Sequence, residues 1–234
     1  MFKFKKNKQI LNHIPYSPEY PDVFPARNVI PEWYKKSKGT LDDAPTPLKK
    51  TATVKRCVPF LDAMTFGYMI PLPVDINIIQ INGFAYYEWR DDADGYDPIH
   101  IRPQEAMQSM PVPTGYEDTY PAWNTRSFIE IPKGYSALIT HPLNHTELPF
   151  FTVSGIIDSG VLFEGNIPFF IKKGFEGLIP KGTPILQVLP FKTDNWESVK
   201  DETLRNRAHL RRRDRLITAF SWYKNNVWVK KSFD

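Results

Sequence analysis

Residues 127–191 read SFIEIPKGYSALITHPLNHTELPFFTVSGIIDSGVLFEGNIPFFIKKGFEGLIPKGTPILQVLPF, and this stretch decides the fold. It contains an echo of itself. Ile131-Pro132-Lys133-Gly134 leads into the apolar run Tyr135-Ser136-Ala137-Leu138-Ile139. Ile179-Pro180-Lys181-Gly182 leads in the same way into Thr183-Pro184-Ile185-Leu186-Gln187-Val188. Each copy reads as a turn between two strands: Pro presets φ for the second position of a turn, and Gly takes a positive φ at low cost. Short runs rich in Phe, Val and Ile lie between the copies, cut by Gly, Asp, Asn and Pro. That is the rhythm of an all-β sandwich or barrel.

Towards the N-terminus the same rhythm continues back to about residue 51. Residues 74–82 (VDINIIQIN) alternate, with Val74, Ile76, Ile78 and Gln80 on one face, and Gly83 separates them from a second strand over residues 84–89. Residues 59–71 read as a turn followed by a strand. Residues 98–113 read as irregular, with a short helix around residues 105–110. Residues 1–50 form a Pro-rich and aromatic arm. Pro15, Pro18 and Pro21 hold it extended, and Tyr16, Tyr20, Phe24, Trp33 and Tyr34 are too apolar for a free linker, so the arm lies on its own body or on a neighbour's. The core domain spans residues 51–193. Residues 194–234 form a basic helix, capped by Asp194 and running to about Tyr223, and then an aromatic tail. With Trp222 and Trp228 among its residues, that tail packs on the body or on another subunit. The fold class is therefore mainly β, a β-clip-like or sandwich core between an N-terminal arm and a C-terminal basic helix.

Composition narrows the function. The chain has 234 residues, enough for a full core, and 41% of them are apolar. The 22 prolines, against 12 glycines, favour short strands and extended arms over helices. Cys57 is the single cysteine, which excludes an internal disulfide and fits a reducing compartment. No apolar run reaches the ~18 residues of a membrane span, and no secretion signal is evident. The net charge is +4. Its cations gather at the ends, in Lys3, Lys5, Lys6 and Lys8 and in Arg205, Arg207, Arg211, Arg212, Arg213 and Arg215. With Trp222 and Trp228 nearby, the basic helix has the ingredients of a nucleic-acid or acidic-partner surface.

Motifs for chemistry are sparse. The Asp91, Asp92, Asp94, Asp97 and Gly95 cluster puts Arg90 at the first position of a calcium loop and Ile101 at the twelfth, so it reads as a turn. His141 and His145 flank Pro142 in a turn and read as locally hydrogen-bonded histidines rather than metal ligands. Gly165, Gly174, Gly177 and Gly182 form no phosphate-binding pattern. Asp62 sits in an apolar run, where a carboxylate is costly unless paired, and reads as a backbone-capping residue in a turn. Neither a catalytic residue nor a cofactor or metal is expected.

Residues 128–190 resemble the dUTPase and dCTP-deaminase group of the β-clip fold. The resemblance is carried by Ile131-Pro132-Lys133-Gly134-Tyr135, Gly155-Ile156-Ile157-Asp158-Ser159-Gly160 and Ile185-Leu186-Gln187-Val188. It implies a trimer and a nucleoside pocket at Asp158. The family's phosphate-loop Arg and Ser have no counterpart in Thr140-His141-Pro142-Leu143-Asn144, so the fold carries over and the activity does not. The phrases Ile30-Pro31-Glu32-Trp33, Pro59-Phe60-Leu61-Asp62-Ala63-Met64-Thr65 and Thr140-His141-Pro142-Leu143-Asn144 are also similar to a tailed-phage and bacterial family. That similarity implies a phage setting and no activity. The reading is a non-catalytic structural or interaction protein, a phage virion component that forms a homo-oligomer and contacts neighbouring virion proteins in the virion or the host cytoplasm. The alternative is a nucleotide-binding enzyme or sensor with a cleft near Asp158, His141 and Asn144.

Overall fold

The structure is a computed structural model that describes residues 9–42, 50–90, 95, 97–107, 110–205, 207–208 and 222–234. Lys3, Lys5, Lys6 and Lys8, the aspartates 91, 92 and 94, Arg211, Arg212, Arg213 and Arg215, and the side chain of Trp222 lie outside the described residues. The strands are β1 (Asn12–Pro15), β2 (Phe24–Pro25), β3 (Thr40–Asp42), β4 (Lys50–Ala52), β5 (Tyr68–Pro71), β6 (Ile76–Ile81), β7 (Phe84–Glu88) and β8 (Ile99–Ile101), then β9 (Pro121–Glu130), β10 (Tyr135–Thr140), β11 (Phe150–Thr152), β12 (Gly155–Asp158), β13 (Leu162–Ile171), β14 (Gly177–Ile179) and β15 (Pro184–Lys192). The helices are α1 (Glu32–Lys36), α2 (Val58–Thr65) and α3 (Trp222–Asn226). The fold is mainly β.

The echo in sequence becomes a pairing in space. Tyr135 N–H donates to the Pro132 carbonyl at 3.1 Å, and Thr183 N–H donates to the Pro180 carbonyl at the same distance. Gly134 and Gly182 have φ of 83° and 85°. In both turns, then, Pro holds the first position, Lys the second and Gly the third, where a positive φ is required. The sequence reading had Pro at the second position. The strands that leave the two turns, β10 and β15, pair antiparallel from Tyr135↔Lys192 to Thr140↔Gln187. They are central in the sheet β12-β10-β15-β5-β2. A second sheet runs β1-β9-β13-β11, with β8 also paired to β9, and a third runs β14-β6-β7. In the β6–β7 hairpin the alternation holds as read. Ile76 and Ile78 are buried, and Asn82 (φ 53°) and Gly83 (φ 81°) make the two-residue turn.

One apolar cluster is shared by the three sheets. Ile129 and Phe169 come from the second sheet, Ile139 and Leu186 from the first, and Ile76 and Ile179 from the third. Trp123 stacks on Phe169 with centroids 3.6 Å apart and meets Phe150 edge-on at 5.0 Å. Such aromatic pairs add ~0.5–1.5 kcal/mol beyond burial. The indole N–H of Trp123 donates to Thr152 Oγ1 (3.1 Å), and that hydroxyl donates to the Ile185 carbonyl (2.8 Å). A fully satisfied polar chain therefore bridges two sheets through the core, which avoids the cost of a buried orphan.

Three segments differ from the sequence reading. Residues 58–65 are helix α2, not a turn or strand: Pro59 lies in its first turn, where its missing N–H costs nothing, and Met64 faces the core. Residues 99–101 form a strand, because β9 has a free edge there and Ile99 pairs with Trp123. Residues 194–200 have no regular structure. The turn that opens the helical residues 204 and 205 is capped by Asp201, whose Oδ1 accepts from the Thr203 N–H at 2.9 Å. Asp194 instead accepts from Lys192 Nζ at 2.7 Å.

The described parts of the N-terminal arm and of the C-terminal tail are fastened to the body. β1 extends the second sheet, Tyr16 N–H donates to the Arg126 carbonyl at 2.9 Å, and Tyr20, Val23 and Ala26 are buried. At the other end, Trp228 Nε1 donates to Asp62 Oδ2 at 2.9 Å and Lys231 Nζ to the same oxygen at 2.6 Å. Phe233 packs edge-on against Phe66 and Tyr68, and Asp234 pairs with Arg27 at 2.8 Å. Among the described residues no helix is long and apolar enough to cross a membrane.

Candidate functional site

His141 and Asn144 sit in the turn after β10, over α2 and beside β11. The Thr152 N–H donates to His141 Nδ1 (3.3 Å), so that nitrogen carries the lone pair, and Nε2–H faces the His145 carbonyl at 3.3 Å. Burial holds the neutral ring by pushing its pKa down to about 4. His145 is buried too. Its Nδ1 meets Glu147 Oε1 at 2.9 Å, yet burial outweighs the carboxylate and lowers its pKa. The other Glu147 oxygen accepts from Trp33 Nε1 of α1 at 3.2 Å. Asn144 adopts φ 64°, a conformation asparagine tolerates, and its Nδ2 donates to the Phe60 carbonyl at 3.3 Å.

Under this turn lies Gln187 of β15, fully buried. Its Nε2 donates to the carbonyls of Ala63 (2.9 Å) and Phe66 (2.7 Å) at the end of α2, and its Oε1 accepts from Leu143 N–H at 2.7 Å. The His141, Asn144 and Gln187 side chains therefore have internal partners and together fasten α2 and the 140–145 turn onto β15, while His145 Nε2 is buried without a hydrogen-bond partner among the described residues.

Asp158 is elsewhere. On β12 it stands opposite Ser136, whose hydroxyl donates to Asp158 Oδ1 at 2.7 Å and lies 2.7 Å from Thr193 Oγ1. At the other end of that pairing Thr140 Oγ1 lies 2.7 Å from Ser154 Oγ. Four steps along β10 take Ser136 to Thr140, about 14 Å at ~3.4 Å per residue. His141 and Asn144 are thus brought together, and Asp158 is at the far end of the strand, exposed on a sheet edge.

Of the basic residues, Arg205 pairs with Glu202 at 3.3 Å and Arg207 with Asp201 at 3.0 Å. Trp228 is held by Asp62 rather than offered as a stacking platform. Asp62, read as a backbone cap, instead accepts side-chain donors from the tail. Among the described residues, no group of three or more His, Cys, Asp or Glu is placed to hold a metal ion.

Three features escaped the sequence. Glu117 is buried and accepts from Gln80 Nε2 (2.7 Å), Ala85 N–H (2.9 Å) and Gly174 N–H (3.3 Å), so it ties the third sheet to its neighbouring loops. Nothing in the loop sequence around it signals this. A cavity of about 500 Å³ opens between the two chain ends over Tyr68, Pro132, Tyr135 and Pro190. Trp196 is 91% exposed, on a segment (residues 192–200) that is exposed throughout.

No family model matches the chain. No curated protein matches it either. Among solved structures it is similar to a dUTPase from phage phi11 of S. aureus, at 12% identity over 82% of this chain and 97% of that one, with a TM-score of 0.37. A Staphylococcus bacteriophage 80alpha dUTPase solved with dUpNHpp matches at 13% identity over 83% and 98% of the two chains, TM-score 0.38. A second mutant of the phage 80alpha dUTPase matches at 15% identity over 84% and 90%, TM-score 0.37. The fold described above rests on its own strands and registers.

Proposed function

We propose that this chain is a non-catalytic interaction protein that binds other protein surfaces, first of all further copies of itself. Trp196 carries the reading: a tryptophan 91% exposed, on a strap that no backbone hydrogen bond ties to another described residue, is the kind of anchor that protein interfaces use. The internal use of His141, Asn144 and Gln187 supports it, since those side chains already hold the body together. A phage virion component is the setting that the sequence similarity implies. Sedimentation of the purified chain tests self-assembly, and mass spectrometry of purified virions tests the setting. A strict monomer would remove the first and virions without the chain the second.

A second reading is a nucleotide-binding enzyme or sensor. Its supporting observation is Asp158, an exposed carboxylate on a sheet edge with the Ser136 and Thr193 hydroxyls beside it. The sequence resemblance over residues 128–190 makes deoxynucleotides the class to test. A nucleotide held at 100 times its Kd would add about 2.7 kcal/mol of stability. Thermal shift against a panel led by dUTP reads this directly. A response lost in Asp158→Ala would favour this reading over the first, and a flat panel would retire it.

A further inference from the structure

We propose that Trp196 of one copy seats in the cavity that the two chain ends build on a second copy. This rests on the self-assembly reading and names its contact. The knob leaves the body at Thr193, whose N–H is fixed to the Gly134 carbonyl at 3.0 Å, and no backbone hydrogen bond ties residues 194–200 to another described residue. The hole is the cavity of about 500 Å³ walled by Tyr68, Pro132, Tyr135, Pro190, Val229 and Phe233. Its size falls in the range of pockets that take a compact organic group, and its aromatic and proline walls suit an indole. Charge agrees with this placement. Glu197 beside the tryptophan and Lys230 on the cavity wall are in no ion pair among the described residues and are of opposite sign, whereas Asp194, Asp201, Glu202, Lys231 and the cavity's Asp234 are each paired within their own chain. The indole does not fill the cavity of its own chain, because it stands 91% exposed. Knob and hole are different surfaces, so the copies either exchange knobs reciprocally in a twofold dimer or join head-to-tail into a ring or filament.

The test uses the full chain and two variants by sedimentation velocity, with circular dichroism and melting confirming that each folds. Trp196→Ala removes the knob, and Val229→Trp fills the hole from its rim. Each alone should sediment as a monomer, with self-association weakened about 30-fold or more, as for a tryptophan hot spot. Mixed one to one, they should form a heterodimer and stop there, since only one intact knob and one intact hole remain. A Trp196→Ala variant that associates as the wild type does would overturn the contact and leave self-assembly standing. A mixture that stays monomeric would also overturn it. A wild-type chain that is monomeric throughout would overturn both.

Discussion

Replacing Gln187 by leucine tests how the body is held together. The amide is fully buried and makes three hydrogen bonds of 2.7–2.9 Å, to Leu143 N–H and to the Ala63 and Phe66 carbonyls. Leucine has a similar volume and leaves no large cavity, so the cost is the polar groups it abandons. A buried donor or acceptor left without a partner costs about 1–3 kcal/mol. Three are abandoned, two of them carbonyls of the half-buried Ala63 and Phe66. The expected loss is therefore ~3–5 kcal/mol, a large part of a typical 5–15 kcal/mol stability. Urea unfolding followed by circular dichroism reads it as a lower midpoint at constant slope. Alanine would add a cavity term and fall further. A leucine variant within about 1 kcal/mol of wild type would refute the reasoning, because the three bonds would then be decoration on a site held by packing alone.

Other outcomes follow from single contacts. A methyl group at Gly67 would fall on the Val188 carbonyl oxygen, and φ is already 75° there, so Gly67→Ala should abolish soluble expression or lower the melting temperature sharply. His141 ordinarily titrates at 6.5 and is pushed down to about 4 by burial, so the unfolded chain binds the extra proton first. Its contribution is complete above pH 6.5 and is lost as pH falls towards 4, by roughly 3 kcal/mol in all. His141→Gln can keep both hydrogen bonds without titrating, and its stability should be flatter across that window in urea titrations. An unchanged acid slope would reject the assignment. Asp62→Ala removes the acceptor of Trp228 and Lys231, so amide exchange over residues 227–234 should accelerate at a cost of only ~1–2 kcal/mol in global stability. Unchanged exchange there would mean that Phe233 and the Arg27–Asp234 pair hold the tail without Asp62.

The strands were legible because their signals are local. Period-two alternation in residues 74–82 and the Pro-Lys-Gly turns need only neighbours in sequence. Helix α2 was not, because its apolar residues show no clear period and Pro59 marks a strand boundary as readily as a helix start. β8 exists through the free edge of β9, which cannot be seen from residues 99–101. The candidate site was half visible. His141 and Asn144 meet because they share one turn, whereas Asp158 was joined to them through the family resemblance, and the β10–β12 register carries it away. For Asp62 the desolvation argument correctly demanded a partner. That partner lies 166 residues on, a distance no local pattern spans.

Sedimentation equilibrium of the full chain across micromolar concentrations addresses self-assembly most directly. A mass that rises with concentration to a whole multiple of one chain is the predicted result. A mass fixed at one chain throughout would contradict it.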